Sequence, residues 1–314
     1  MKKDYIGFLK GWVLAVAALG FVVVGASCNR NTAGQSANRS AGLSIPVEKV
    51  ASMDSLAMFM IEQLWEDRTV ENWVKAYETQ ANGMLVHWGA YQGEMVSRQD
   101  YDMVYNKVTD ELKEYADELS GGSTWDMVVS CDVNRAVANF FTAKLYCERY
   151  KDDVLYQNEM RDWLALDEAM SEFFGKLCYL DSWGGTIARI NAASSYLTID
   201  MGRQKDYEQL HKGGEAFPCE VSIDEARTQL IKMMANLQRF KEAADEDEVV
   251  RVEEYSQMLD RVYELKDLIP QCLDAWLDSR AKLSKAYGIP ESNTANMVNA
   301  LGIMARAILS PDVE

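Results

Sequence analysis

The sequence predicts an all-α protein, built of antiparallel helical hairpins that form one elongated bundle or two adjacent ones. Three observations lead there. Apolar residues recur at steps of three and four over long stretches, the period of a helix packed on a helix. Strand-like alternation is missing over any useful length, and Val and Ile are thin beyond residue 26. Gly-Gly connectors and Ser-x-x-acid starts punctuate the helical stretches.

Residues 1–27 read as an export leader. Lys2, Lys3 and Lys10 outnumber Asp4, and the apolar run Gly11–Ala26 follows. In a helix that run spans about 24 Å at about 1.5 Å per residue. This is short for a hydrocarbon core of roughly 30 Å and normal for the apolar part of a leader. Gly25, Ala26 and Ser27 then lead into Cys28. A small-small-Cys ending after an apolar run resembles the lipobox of bacterial lipoproteins. The resemblance implies a cut before Cys28 and diacylglycerol on its thiol. Val24-Gly25-Ala26 also fits an ordinary cut after Ala26, and an uncleaved anchor is a third reading. All three place the remainder outside the cytoplasm, in the cell envelope. Residues 28–48 are polar, small and aperiodic, a tether reaching roughly 23 Å at about 5–6 Å × √n.

The body divides into an N-terminal helical group, 49–211, and a C-terminal one, 222–310. Whether these make two domains or one bundle is open at this level. In the first third, Met53, Met58, Met60, Met84, Met95 and Met103 mix with Trp65, Trp73, Trp88, Tyr77 and Tyr91. A soft core is the favoured reading, with an adaptable partner groove as the alternative. Ser120-Gly-Gly-Ser123 ends one helix, with glycine expected in the left-handed conformation. Ser123 and Asp126 form a capping box for the next. The row Trp163, Leu166, Met170, Phe173, Leu177, Leu180 is a helix seam, closed by Trp183-Gly184-Gly185-Thr186. His211 to Ser222 holds Gly213, Gly214 and Pro218, the best internal boundary. Ser222 and Glu225 form a second capping box. Leu230, Met233, Leu237, Phe240 and Ala244 make a shorter row. The longest row runs Tyr255, Met258, Val262, Leu265, Ile269, Cys272, Trp276, Ser279, Leu283, Ala286, broken only by Ser279. Pro270 lies within it and should kink or split that helix.

The 49 acidic residues exceed the 32 basic ones, for a net charge of −17. That balance argues against nucleic acid and against electrostatic docking on anionic lipid. It favours solubility and a basic partner. Two histidines, His87 and His211, are too few for an ordinary zinc site, and no cofactor is expected. Asp245–Glu248 with Glu253 and Glu254 lacks the alternating acids and glycine of a calcium loop. It suits the N-terminus of the last long helix. Asp162, Asp167, Glu168 and Glu172 flank Trp163 and read as the wet face of their helix. Cys219 and His211 share a Gly-Pro loop without a third orienting group, so no thiol–imidazole catalyst is expected. Beyond Cys28 there are Cys131, Cys147, Cys178, Cys219 and Cys272. They are buried thiols or form one or two bridges. Cys131 and Cys147, on one helix and about 24 Å apart, cannot pair with each other, because a bridge needs Cα atoms within about 7 Å. No catalytic set stands out, and the chain reads as a non-enzyme.

Trp163 heading a helix, the connector Gly184-Gly185-Thr186, Arg203 and Leu210 on the following helix, and Ala275-Trp276-Leu-Asp-Ser-Arg280 together resemble the LprI-type lysozyme-inhibitor family. Those proteins are small, exported and helical. Each half of this chain carries part of the pattern. It departs from the pattern in having no Arg four residues after Trp163, no cysteine at the family spacing, and no GGS after Trp276. The resemblance implies partner binding through Trp163, Gly184, Gly185, Thr186, Arg203, Trp276 and Arg280, with a basic lysozyme or another envelope protein as partner. A non-enzymatic scaffold of an envelope complex is the alternative. Read physically, Trp163 and Trp276 occupy seam positions and are expected in the core, while Arg203 and Arg280 are suited to pin carboxylates.

Overall fold

A computed structural model describes residues 45–65, 68–92, 101–181, 185–212, 221–237, 240 and 251–309. The leader, residues 28–44 of the tether, Gly184, Cys219 and the acids of 241–250 lie outside the described residues. The last tether residues are structured rather than free, since Ile45 packs on the core and Val47–Lys49 form a 3-10 helix. Among the described residues there are nine α-helices and no strand. In chain order they are α1 (Met53–Glu62), α2 (Val70–Gln92), α3 (Tyr101–Leu119), α4 (Thr124–Arg149), α5 (Val154–Asp181), α6 (Thr186–Lys212), α7 (Ile223–Met234), α8 (Arg251–Tyr287) and α9 (Glu291–Leu309). The fold is all-α, as the periodicity predicts. None of the described helices is long and apolar enough to cross a membrane.

Local chemistry sets the helix starts. Ser52, Ser123 and Ser222 each cap a helix, and each exchanges bonds with the residue three positions on in a complete capping box. Two of these, at Ser123 and Ser222, are the predicted ones. The Ser120–Ser123 turn closes differently from the expectation. The described glycine with positive φ is Gly288, at 67°, and neither Gly121 nor Gly122 adopts that conformation. Here the Ser120 N–H donates to the Ala116 carbonyl and the Gly122 N–H to Leu119. Glycine serves space instead, since a Cβ on Gly122 would meet Asp126 Oδ2 at 2.6 Å. Gly288 ends α8 in the left-handed manner, with its N–H and that of Ile289 both donating to the Ser284 carbonyl.

Pro270 does not split its helix: α8 runs without interruption from Arg251 to Tyr287. A proline in a helix interior costs about 3 kcal/mol. The seam on both sides of it offsets that cost, because Val262, Leu265, Ile269, Leu273 and Trp276 are all buried. Each such side chain contributes about 1.5–3 kcal/mol when removed from water.

The apolar packing falls into two cores that meet along α4. One gathers α1, α2, α3 and the first part of α4 around Leu56, Met60, Met84, Val108, Leu112, Val133 and Phe140. The other gathers the end of α4 with α5 to α9, around Tyr146, Phe173, Leu177, Val262, Trp276 and Val298. This second core joins helices from both sides of the 213–220 connector. Residues from Ile45 onward form a single compact unit. Its strongest pairings are α5 with α8, α4 with α6, and α7 with α9. In the first third, Met60 and Met84 are fully buried while Met103 is exposed, so most of its described Met and aromatic content is core. His87 is buried there, and its Nδ1 donates to the Val50 carbonyl at 2.6 Å.

Candidate functional site

Four residues singled out by the sequence, Trp163, Arg203, Trp276 and Arg280, come together in the second core. They converge on two carboxylates, Glu159 and Asp206. Helical spacing explains the alignment. Glu159 and Trp163 are one turn apart on α5, Trp276 and Arg280 one turn apart on α8, and Arg203 and Asp206 three apart on α6. Each pair therefore projects from one face of its helix.

The geometry is that of a closed clamp. Glu159 Oε1 accepts from Trp276 Nε1 at 2.8 Å and from an Arg280 amine at 3.2 Å. Glu159 Oε2 accepts from Arg203 at 2.6 Å and from the Tyr207 hydroxyl at 3.4 Å. Asp206 accepts from Arg203 at 2.8 Å through one oxygen and from Arg280 through the other. Two arginines and two carboxylates thus alternate in a ring spanning α5, α6 and α8. Arg280 Nε reaches Thr294 on α9. The Trp163 and Trp276 rings meet edge to face, centroids 5.3 Å apart. The Arg203 guanidinium sits between Trp163 at 4.6 Å and Tyr207 at 4.5 Å, a cation–π sandwich.

Burial is nearly complete: Glu159, Trp276 and Arg280 are 0 % exposed, Trp163 and Arg203 3 %. Burial opposes the charge on Glu159, and Arg203 and Arg280 more than compensate, so its carboxyl lies below the ordinary carboxylate range. Burial pushes the Tyr207 hydroxyl well above its usual value, with Glu159 adding to the effect. Arg203 Nε alone finds no partner in the cluster. Glu159, Arg203, Asp206 and Arg280 do not line the cavities beside Trp73, beside Ile289 or beside Asn158. Apart from that one N–H these groups are consumed by one another, which suits holding three helices in register.

A second ionic set extends along α6. Asp200, Arg203 and Asp206 occur at three-residue steps, and Asp200 accepts from Arg135 of α4 at 3.0 Å. Arg135 also bonds Asp132 at 3.0 Å and lies 4.9 Å from the Tyr196 ring. Arg68 pairs with Asp167, which also accepts from Ser171 at 3.1 Å.

The acids around Trp163 correct the expectation of a wet face. Asp167 is buried on Arg68 and Ser171. Asp162 accepts from Arg161 and from the Ser279 hydroxyl, and Glu172 takes a two-pronged bond from Arg261 at 3.0 and 2.7 Å. Glu168 is exposed as expected. Three of the four acids therefore bind other elements. Ser279, the break in the apolar row of α8, is the donor that ties α8 to α5 at Asp162.

Gly185 and Thr186 are not brought to the clamp. They stand at the start of α6, about 26 Å along the axis from Arg203 at about 1.5 Å per residue, where the Gly185 carbonyl accepts from Ala188 at 3.2 Å. Cys131, Cys178 and Cys272 are free thiols. The described residues contain no group of three or more His, Cys, Asp or Glu placed to hold a metal ion. Comparison with family models, with curated proteins and with solved structures finds no match for this chain.

Proposed function

We propose that this chain is an exported, lipid-tethered envelope protein that acts without catalysis, by binding a basic protein such as a lysozyme or another peptidoglycan hydrolase and blocking it. The sorting of charge is the observation that carries this reading. The buried arginines are neutralised internally by Glu159, Asp200 and Asp206. Acids dominate outer faces such as that of α3, where Asp102, Asp110, Glu114, Asp117 and Glu118 are exposed beside Lys107 and Lys113. Such a surface attracts a basic partner and speeds its encounter in a salt-dependent way. The test is titration of the chain against lysozymes in a cell-wall lysis assay at low and high salt. Inhibition that weakens with salt supports the proposal; full lysis at large excess of the chain overturns it.

A second reading, an accessory or scaffold subunit of an envelope complex, is favoured by one feature. Of the residues carrying the lysozyme-inhibitor resemblance, Trp163, Arg203, Trp276 and Arg280 are buried and present nothing to a hydrolase cleft. Recovery of one stable non-hydrolase partner from a native envelope fraction supports the scaffold over the inhibitor.

A further inference from the structure

Helix α6 carries a second seam, on its solvent side. Ile187, Ile190, Ser194, Leu197 and Met201 step by three, four, three and four, the spacing that packs one helix along another. Ile187 is 52 % and Met201 41 % exposed. Ser194 is exposed and Ile190 and Leu197 are half-buried. The flanking positions Asn191 and Thr198 are exposed and uncharged. Between Arg189 and Lys205 the charged side chains of α6 are Asp200 and Arg203, and both are buried. The outer row is therefore uncharged on a chain of net charge −17. It contrasts with α3, whose exposed row is mostly charged.

We propose that this row is the docking surface for a second copy of the chain, with the two α6 helices antiparallel across a two-fold axis near Ser194. The residue order is self-complementary, as a two-fold interface requires. Reversing the helix about Ser194 sets Ile187 against the partner's Met201, and Ile190 within one residue of its Leu197. Serine at the centre allows close approach of the backbones. Charge selects the same face, because two copies of one acidic chain repel wherever their acidic faces meet, and here they do not. The seam from Ile187 to Met201 covers about 21 Å of axis. A single helix pair of that length falls short of the roughly 800 Å² per partner of a standard interface, so the association is weak and reversible. Side chains of α6 flank the seam with amides and hydroxyls rather than charges, which leaves its antiparallel direction to the apolar pairs.

The test is cross-linking of the full chain carrying Ser194→Cys with a short bismaleimide. The unsubstituted chain and a Glu168→Cys variant, exposed on α5, serve as controls for the native thiols. The expected result is a product of twice the chain mass that is enriched over both controls. Adding Leu197→Asp, or separately Ile187→Asp at the more exposed position, should lower that product by about tenfold or more, equivalent to about 1.4 kcal/mol of affinity. Circular dichroism of these variants should match the parent. No enrichment over Glu168→Cys, or a product whose mass is not twice that of the chain, overturns the proposal.

Discussion

Replacing Arg280 by methionine tests whether the clamp holds the second core together. Arg280 is fully buried and donates to Glu159, Asp206 and Thr294. Methionine keeps the apolar stem and removes the charge. Asp206 then keeps only Arg203, and the ring changes from two positive and two negative groups to one positive and two negative. Removing one partner of a buried ion pair typically costs about 3–5 kcal/mol, because the remaining charge stays desolvated without full compensation. Against a total of about 5–15 kcal/mol this is a large share. Arg261→Met is the matched comparison. Arg261 makes a better-looking bidentate bond, to Glu172, but its side chain is 42 % exposed. Exposed pairs contribute about 0–1 kcal/mol. Urea unfolding followed by far-ultraviolet circular dichroism measures both. If Arg280→Met costs under about 1 kcal/mol, or no more than Arg261→Met, the clamp is not what holds α5, α6 and α8 in register.

Further outcomes follow from the same geometry. Glu159→Gln should lose stability at neutral pH, and its deficit against the parent should narrow as pH falls below 4.5, its ordinary value. A carboxyl with a depressed folded pKa contributes above the unfolded pKa and loses that contribution as pH falls through the folded one; stability measured from pH 3 to 7 checks the sign. Ser123→Ala should cost about 1 kcal/mol, read as a lowered Tm, because it removes the capping oxygen that accepts from the Asp126 N–H. Burial pushes the Cys178 thiol up to about 11, so in peptide mapping after alkylation near pH 8 it should stay unmodified in the folded chain and react in urea.

Much of this structure was legible in periodicity. The seam of α8 was readable from Tyr255 to Leu283, including the isolated Ser279, because a helix core repeats every three to four residues whatever its partner; only its last predicted member, Ala286, is exposed. The capping boxes at Ser123 and Ser222 were readable because they are closed within four residues. Trp163 and Trp276 were placed in the core, and Arg203 and Arg280 were suited to pin carboxylates. The carboxylates themselves were not identified. Glu159 meets Trp276 and Arg280 across more than a hundred residues, and an isolated acid on a helix reads as solvated until its partner's position is known. Its place one turn before Trp163, on the buried side, was the available signal. Asp167 was misread for the same reason, since its partner Arg68 comes from the connector before α2. The Gly121-Gly122 turn was misread because glycine has two uses. Its sequence signal does not distinguish a left-handed φ from the room that Asp126 requires.

The convergence of the two Trp and Arg pairs bears on what the family-like residues can do. Arg203, with Trp163 against its guanidinium, delivers its amine to Glu159 Oε2, and Arg280, with Trp276 one turn before it, delivers to Oε1. A pattern divided between the halves of the sequence is thus reunited on one carboxylate. The demands of the fold account for each residue type: an aromatic with an N–H to fill the core and bond the acid, and a guanidinium with enough donors to bridge two carboxylates. Recognition must then draw on other residues, those that reach solvent. Two classes of substitution therefore separate cleanly. Arg280→Met changes stability, and alters binding only as far as it unfolds the chain. Charge reversal at Asp110, Glu114 or Asp117 on α3 leaves folding almost unchanged, since surface substitutions of this kind stay within about 0.5 kcal/mol. If the acidic face meets a basic partner, those reversals weaken binding and reduce its salt dependence, while the clamp stays intact.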